Sequence, residues 1–185
     1  QEGSRPEDIA IAEAEVENKR ASLQAARETL AASEQKLAVL QKEADIGLAA
    51  EVAKAGSTYS QQLTVARTAL TVVDDVLDDS DVHDALTRYQ PGVEALIREQ
   101  MDDIAITVNA LLLQAGRFED HQEALNKLKN ARDAVANAGR IVVDLFDIIV
   151  SATPTSSFTR SEREARKTDL SAEKKNIQTA LSAID

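Results

Sequence analysis

Residues 9–44 read IAIAEAEVENKRASLQAARETLAASEQKLAVLQKEA, and within them Ile9, Val16, Leu23, Leu30, Leu37 and Ala44 recur at an unbroken spacing of seven. Their companions three residues on are Ala12, Lys19, Ala26, Ser33 and Leu40. This is the heptad of a helix that meets another helix along a narrow seam. Small or amphipathic second positions suit one close partner helix rather than a thick core. Upstream, Ser4-Arg5-Pro6-Glu7 is a helix start, with Ser4 and Glu7 as a capping box and Pro6 in the first turn, where its missing N–H costs nothing. Downstream, the register slips around Ile46-Gly47-Leu48. Val52, Tyr59, Ala66 and Val73 then carry a new row, with Leu63, Leu70 and Leu77 beside it. Unbroken to Leu77, this helix would be about 108 Å long at 1.5 Å per residue. A break at Gly56-Ser57-Thr58 is the competing reading, since an interior glycine costs about 1 kcal/mol.

The rest of the chain repeats the helical signal with wider faces. A charged stretch ends in the turn Gln90-Pro91-Gly92. Val93 to Ala115 carries Ile97, Ile104 and Leu111, with Met101 and Val108 on the neighbouring row, and Gly116 acts as a stop. Phe118 to Ala152 carries Leu128, Val135, Val142 and Ile149 beside Ala124, Ala131, Ala138 and Leu145. The short connection makes these two helices antiparallel neighbours. Thr153 to Phe158 is a loop, blocked from helix by Pro154. Thr159-Arg160-Ser161-Glu162 offers a capping box, and Ser161 with Glu164 offers one in another register. The last helix carries Leu170, Ile177, Leu181 and Ile184. Run antiparallel, Leu170, Ile177 and Ile184 can face Ile9, Val16, Leu23 and Leu30. The fold class is therefore all-α: an antiparallel coiled-coil hairpin stem (5–50 and 159–185) with an inserted antiparallel helical bundle (51–158), the whole of 1–185 being one all-α unit.

Composition agrees with helices and names no activity. The 185 residues are 43% hydrophobic but only 3% aromatic, which argues against pleated folds that need aromatic and β-branched faces. With no Cys, disulfide scaffolds, thiolate zinc sites and cysteine nucleophiles are excluded. A formal net charge of −11 argues against nucleic-acid and anionic-lipid surfaces, which reward clustered Lys and Arg. No run approaches a membrane span, so direct membrane insertion by this segment is not expected. Gln1 is not an initiator Met, and residues 180–185 still read as helix interior, so a processed protein or, ahead of that, a piece of a longer chain is expected.

Candidate chemistry is sparse. Between residues 74 and 103, ten acids face two bases, a net of −8. Asp74, Asp75, Asp78, Asp79, Asp81 and Asp84 are the candidate docking residues for a basic partner, and the bland alternative is a solvated acidic helix end. The run lacks the alternating ligands and central Gly of a calcium loop. His83, among Asp79, Asp81 and Asp84, has no paired-His or HExxH context, so neither a metal nor a cofactor is expected. There is no phosphate-cradling glycine loop and nothing like a nucleophile elbow, so no catalytic residue is assigned and an enzyme is not expected. The last helix is locally basic (Arg160, Arg163, Arg166, Lys167, Lys174, Lys175) and could pair with Glu13, Glu15, Glu17 and Glu28 of the first.

The long Ala/Glu/Gln/Lys heptad helix and a returning helix ending Asn176-Ile177-Gln178-Thr179-Ala180-Leu181 resemble the α-helical hairpin of membrane fusion proteins, the haemolysin-secretion-type periplasmic adaptors. The stretches Ala66 to Asp75 and Thr153 to Phe158 are similar to segments of adaptors whose hairpin carries a helical insertion. The family's Arg-x6-Leu-x6-Ser tip motif is absent: Arg67 is followed seven residues later by Asp74. The resemblance implies a non-enzymatic spacer and docking domain of an extracytoplasmic adaptor subunit in an efflux or secretion system, membrane-associated through its parent chain. Its partners would be transporter subunits or further copies of itself. The alternative is an extracytoplasmic ligand-sensing bundle of a membrane receptor, which needs a pocket lined by polar or aromatic groups. Only Tyr59, Tyr89, Phe118, Phe146 and Phe158 are available to supply one. A third option is a structural coiled-coil protein that assembles with itself.

Overall fold

The computed structural model of the chain describes residues 5–116 and 118–184. Among these the fold is all-α, with five helices and no strand: α1 Pro6–Leu77, α2 Ser80–Tyr89, α3 Val93–Leu113, α4 His121–Ser151 and α5 Arg160–Ile184. The capping box expected at Ser4 lies outside the described residues. The helix α1 runs through Gly47 and Gly56 without a break. At Gly56 the reason for glycine is a close approach: a Cβ there would stand 3.2 Å from the Gly116 carbonyl oxygen. The chain divides into two compact units, residues 1–49 and 50–185.

In the first unit, every described residue is exposed. Ile9, Val16, Leu23, Leu30, Leu37 and Leu40 stand along the helix between 50% and 59% exposed. Hydroxyls at Ser22, Thr29 and Ser33 fold back onto the carbonyls of Asn18, Ala25 and Thr29, the usual resting place of a solvent-facing hydroxyl on a helix.

The second unit is a four-helix bundle. Residues 50–77 of α1 lie antiparallel to α3, because Tyr59 near one end donates to the Leu111 carbonyl at 2.8 Å and Asp74 near the other takes the Arg98 guanidinium at 3.1 Å. The helices α4 and α5 are likewise antiparallel. Gly139 lies against Ile177, and seven residues on Phe146 lies under the ammonium of Lys174, three residues back. The ring closes where α5 returns to the end of α1, with Arg166 on Asp79, two residues past Leu77, and Ala172 lining one groove with Val72 and Val76. The rows read from sequence fill the interior: Tyr59, Leu63, Ala66 and Val73 from α1, Ile97, Met101 and Val108 from α3, and Ala131, Val135, Val142, Leu145 and Ile149 from α4 are buried.

Two features differ from the sequence reading. The charged stretch after Leu77 contains a helix, α2, with Val82, Ala85 and Leu86 buried. Asp79 caps it, accepting from the Asp81 and Val82 amides. Its Val-x-x-Ala-Leu spacing was the available signal, masked by the surrounding aspartates. The second difference is larger. Leu170 and Ile177 are core residues of the bundle and Ile184 packs at its margin, whereas Ile9, Val16, Leu23 and Leu30 are exposed. The expected stem seam is thereby corrected, and residues 159–185 belong with 50–158 rather than with 5–50. The connection between α4 and α5 explains it. Residues 152–159 are too few to carry α5 away, so it runs back along α4. That loop is fixed by Phe158, which is fully buried and donates its amide to Thr155 Oγ1 at 2.8 Å. Of the two capping registers, Thr159 and Glu162 form the box: each accepts the other's backbone N–H.

Among the described glycines, Gly139 leaves the least room for a Cβ, which would meet Ile177 Cγ2 of α5 at 2.7 Å. Gly139→Ala is expected to destabilise by about 1–2 kcal/mol, overpacking outweighing the helix propensity of alanine. In an Ile177→Ala background the same substitution should instead stabilise, by up to about 1 kcal/mol, because only the propensity gain is left. Urea midpoints of the four proteins in the double-mutant cycle measure this change of sign.

Candidate functional site

The six aspartates singled out above fall into two groups. Asp74 and Asp78 are tied to Arg98 of α3 at 3.1 and 2.8 Å, and Arg98 also holds Glu94 at 3.1 Å. Glu94 also pairs with His83 Nδ1 at 2.7 Å, so that α1, α2 and α3 are joined by one chain of hydrogen-bonded polar groups. Asp79 is the α2 cap and the partner of Arg166 from α5. Three of the six therefore stitch the end of the bundle where α1 stops and α3 and α5 begin. Asp75 and Asp84 are exposed, and Asp81 lies beside Asp79, Asp84 and Glu162.

The electrostatics at this end act in both directions. Burial of the Asp79 carboxyl pushes its pKa up, but the Arg166 guanidinium and two backbone amides together hold it below the ordinary carboxylate value. Asp81 shifts the other way, raised by lost hydration and by the charges of Glu162, Asp79 and Asp84. For Asp79, the lowered folded value means a contribution to stability that is present above the unfolded pKa, near 4, and is lost as pH falls through the folded one. Asp79→Ala is accordingly expected to cost about 1–2 kcal/mol at pH 7, chiefly through the lost cap. Its penalty should shrink as acid protonates Asp79 in the unaltered protein. Asp81→Asn should raise the melting temperature at pH 7. Thermal melts of both variants between pH 7 and 3 give the two signs.

Among the described residues, no group of three or more His, Asp and Glu side chains is arranged to hold a metal ion. Nor is any described helix long and apolar enough to cross a membrane. An apolar groove of about 360 Å³ runs between α4 and α5 over Gly139, Val143, Ile177 and Leu181, with Arg140 and Lys174 also lining it. The aromatics that a ligand pocket would need are placed elsewhere. Tyr59 and Phe118 pack edge to face in the core with centroids 5.7 Å apart, and Phe158 is buried beneath the loop before α5. Phe146 lies under the Lys174 ammonium at 5.3 Å. The side chain of Tyr89 lies outside the described residues.

The remaining surface with a regular pattern is the heptad row of the first unit, and it is the part of the expected seam left open. Sequence reasoning found its residues but assigned them a partner that the bundle has taken. No protein family, no curated protein and no solved structure matches the chain.

Proposed function

We propose that the chain is a non-enzymatic docking module in which a folded helical bundle carries a heptad helix that binds a helical protein partner. The observation that carries this reading is the exposed row Ile9, Val16, Leu23, Leu30, Leu37 and Leu40 on α1. Isolated helices are marginal in water, and most helical stability comes from covering an apolar face, so a row of this kind calls for a partner helix. A spacer and docking part of an extracytoplasmic adaptor, working with a membrane transporter through a longer parent chain, is the setting that the sequence resemblance contributes. The hairpin is not part of the proposal, since α5 is committed to the bundle. The ligand-sensing alternative draws less support: the grooves are open and the described aromatics are spent on packing.

Photo-crosslinking in cells that make the parent protein tests the reading. A benzophenone side chain replacing Leu23, on the apolar row, should give an adduct of discrete mass, and one replacing Ala21, on the opposite face, should not. Equal labelling from the two positions, or no adduct from Leu23, would overturn it.

A further inference from the structure

We infer that the partner helix is that of a second copy of this chain, the two first units pairing antiparallel. This rests on the docking reading above and names its occupant. The row from Ile9 to Leu40 is about 47 Å long at 1.5 Å per residue. A facing strip of that length, one helix diameter wide, is on the order of 500 Å² per helix and 1,000 Å² for the pair, which reaches the size of a specific interface.

The identity of the occupant comes from the alternation of large and small residues. Every member of the leading row from Ile9 to Leu37 is large, whereas Ala12, Ala26 and Ser33 of the companion row are small. Set antiparallel with Leu23 over Ala26 of the second copy, the same register puts Leu37 over Ala12 and Val16 over Ser33. Leu30 then covers the Lys19 stem, whose ammonium reaches water, and Ile9 meets Leu40. Four of the five bulky side chains of the row, Val16, Leu23, Leu30 and Leu37, thus find a smaller or flexible opposite, the interdigitation that a dense seam needs, and Ile9 and Leu40 close each end as a large apolar pair. Because each pairing occurs twice about one two-fold axis, the contact closes as a dimer rather than a filament. Parallel and in register, the same helices would stack Lys19 on Lys19, Ala26 on Ala26 and Ser33 on Ser33, setting like charges together and leaving voids.

Sedimentation velocity of the whole chain across a concentration series should give a species of twice the chain mass. Leu23→Asp with Leu30→Asp should weaken its dissociation constant by about 100-fold or more, because two charges would be buried per helix. The melting of the bundle in that variant should be unchanged, since neither residue belongs to its core. Nitroxides at Ala10 should lie about 44 Å apart in the antiparallel register, from 29 residues at 1.5 Å each. A separation under about 20 Å would mean a parallel pair and would overturn the inference, as would a monomer at every concentration. The adduct from Leu23 separates this failure from that of the docking reading. One made of two copies of the chain supports both, one with a different protein removes only the second copy, and none removes both.

Discussion

Leu170→Ala is expected to lower the unfolding free energy of the bundle by about 2–5 kcal/mol, whereas Leu23→Ala should change it by no more than about 0.5 kcal/mol. Both leucines occupy the same kind of heptad position in sequence. They differ in surroundings: Leu170 is 0% exposed in the core of the second unit and Leu23 is 52% exposed. Truncating Leu170 removes transfer free energy and leaves a cavity between α5 and its neighbours, which close-packed surroundings fill only in part. Chemical denaturation followed by circular dichroism, with the midpoint read on the transition of the bundle, makes the comparison. Equal and large losses at the two positions would restore the stem pairing expected from sequence.

Tyr59→Ala should cost about 3–5 kcal/mol, and Tyr59→Phe only about 1 kcal/mol. The ring is fully buried, stacked edge to face on Phe118, and Phe118 in turn lies under the Lys127 ammonium at 5.3 Å. Its hydroxyl donates to the Leu111 carbonyl in the last turn of α3, which also accepts the backbone N–H of the C-cap Gln114 at 3.1 Å. Burial pushes the Tyr59 hydroxyl pKa above its usual value, favouring the neutral form that donates. The alanine variant loses the ring, the aromatic pair and the hydrogen bond together. The phenylalanine variant isolates the hydroxyl. Unfolding titrations of the two variants at pH 7 separate the contributions.

The rows from Val52 to Leu77, from Ile97 to Leu111 and from Ala124 to Ile149 were legible because each has four or more apolar members at helical spacing and needs no partner to be recognised. The turn at Gly92 was legible for a local reason: its φ is +89°, a conformation open to glycine and strained for other residues. The short α2 was hidden by the aspartates around it, of which Asp79 serves as its cap and Asp74 and Asp78 as ties to Arg98 rather than as free charge. The candidate docking aspartates were chosen by charge density. That measure does not separate a carboxylate held by Arg98 or Arg166 from one facing water. The open heptad row was visible as a row but not as a surface.

Sequence alone determined that this chain is helical, where the long helices have their apolar faces, and that Gly92 and Pro154 mark breaks between them. Those properties are local: 3.6-residue periodicity, a proline without an N–H and a glycine at positive φ act through near neighbours. Which faces meet was decided only by the tertiary structure. The narrow stripe of α5 fits a two-stranded seam and the closing side of a bundle equally well, and a stripe carries no address. A short connection from α4, the buried Phe158 and the absence of a side chain at Gly139 placed that stripe in the bundle. The heptad row from Ile9 to Leu40 was thereby left exposed.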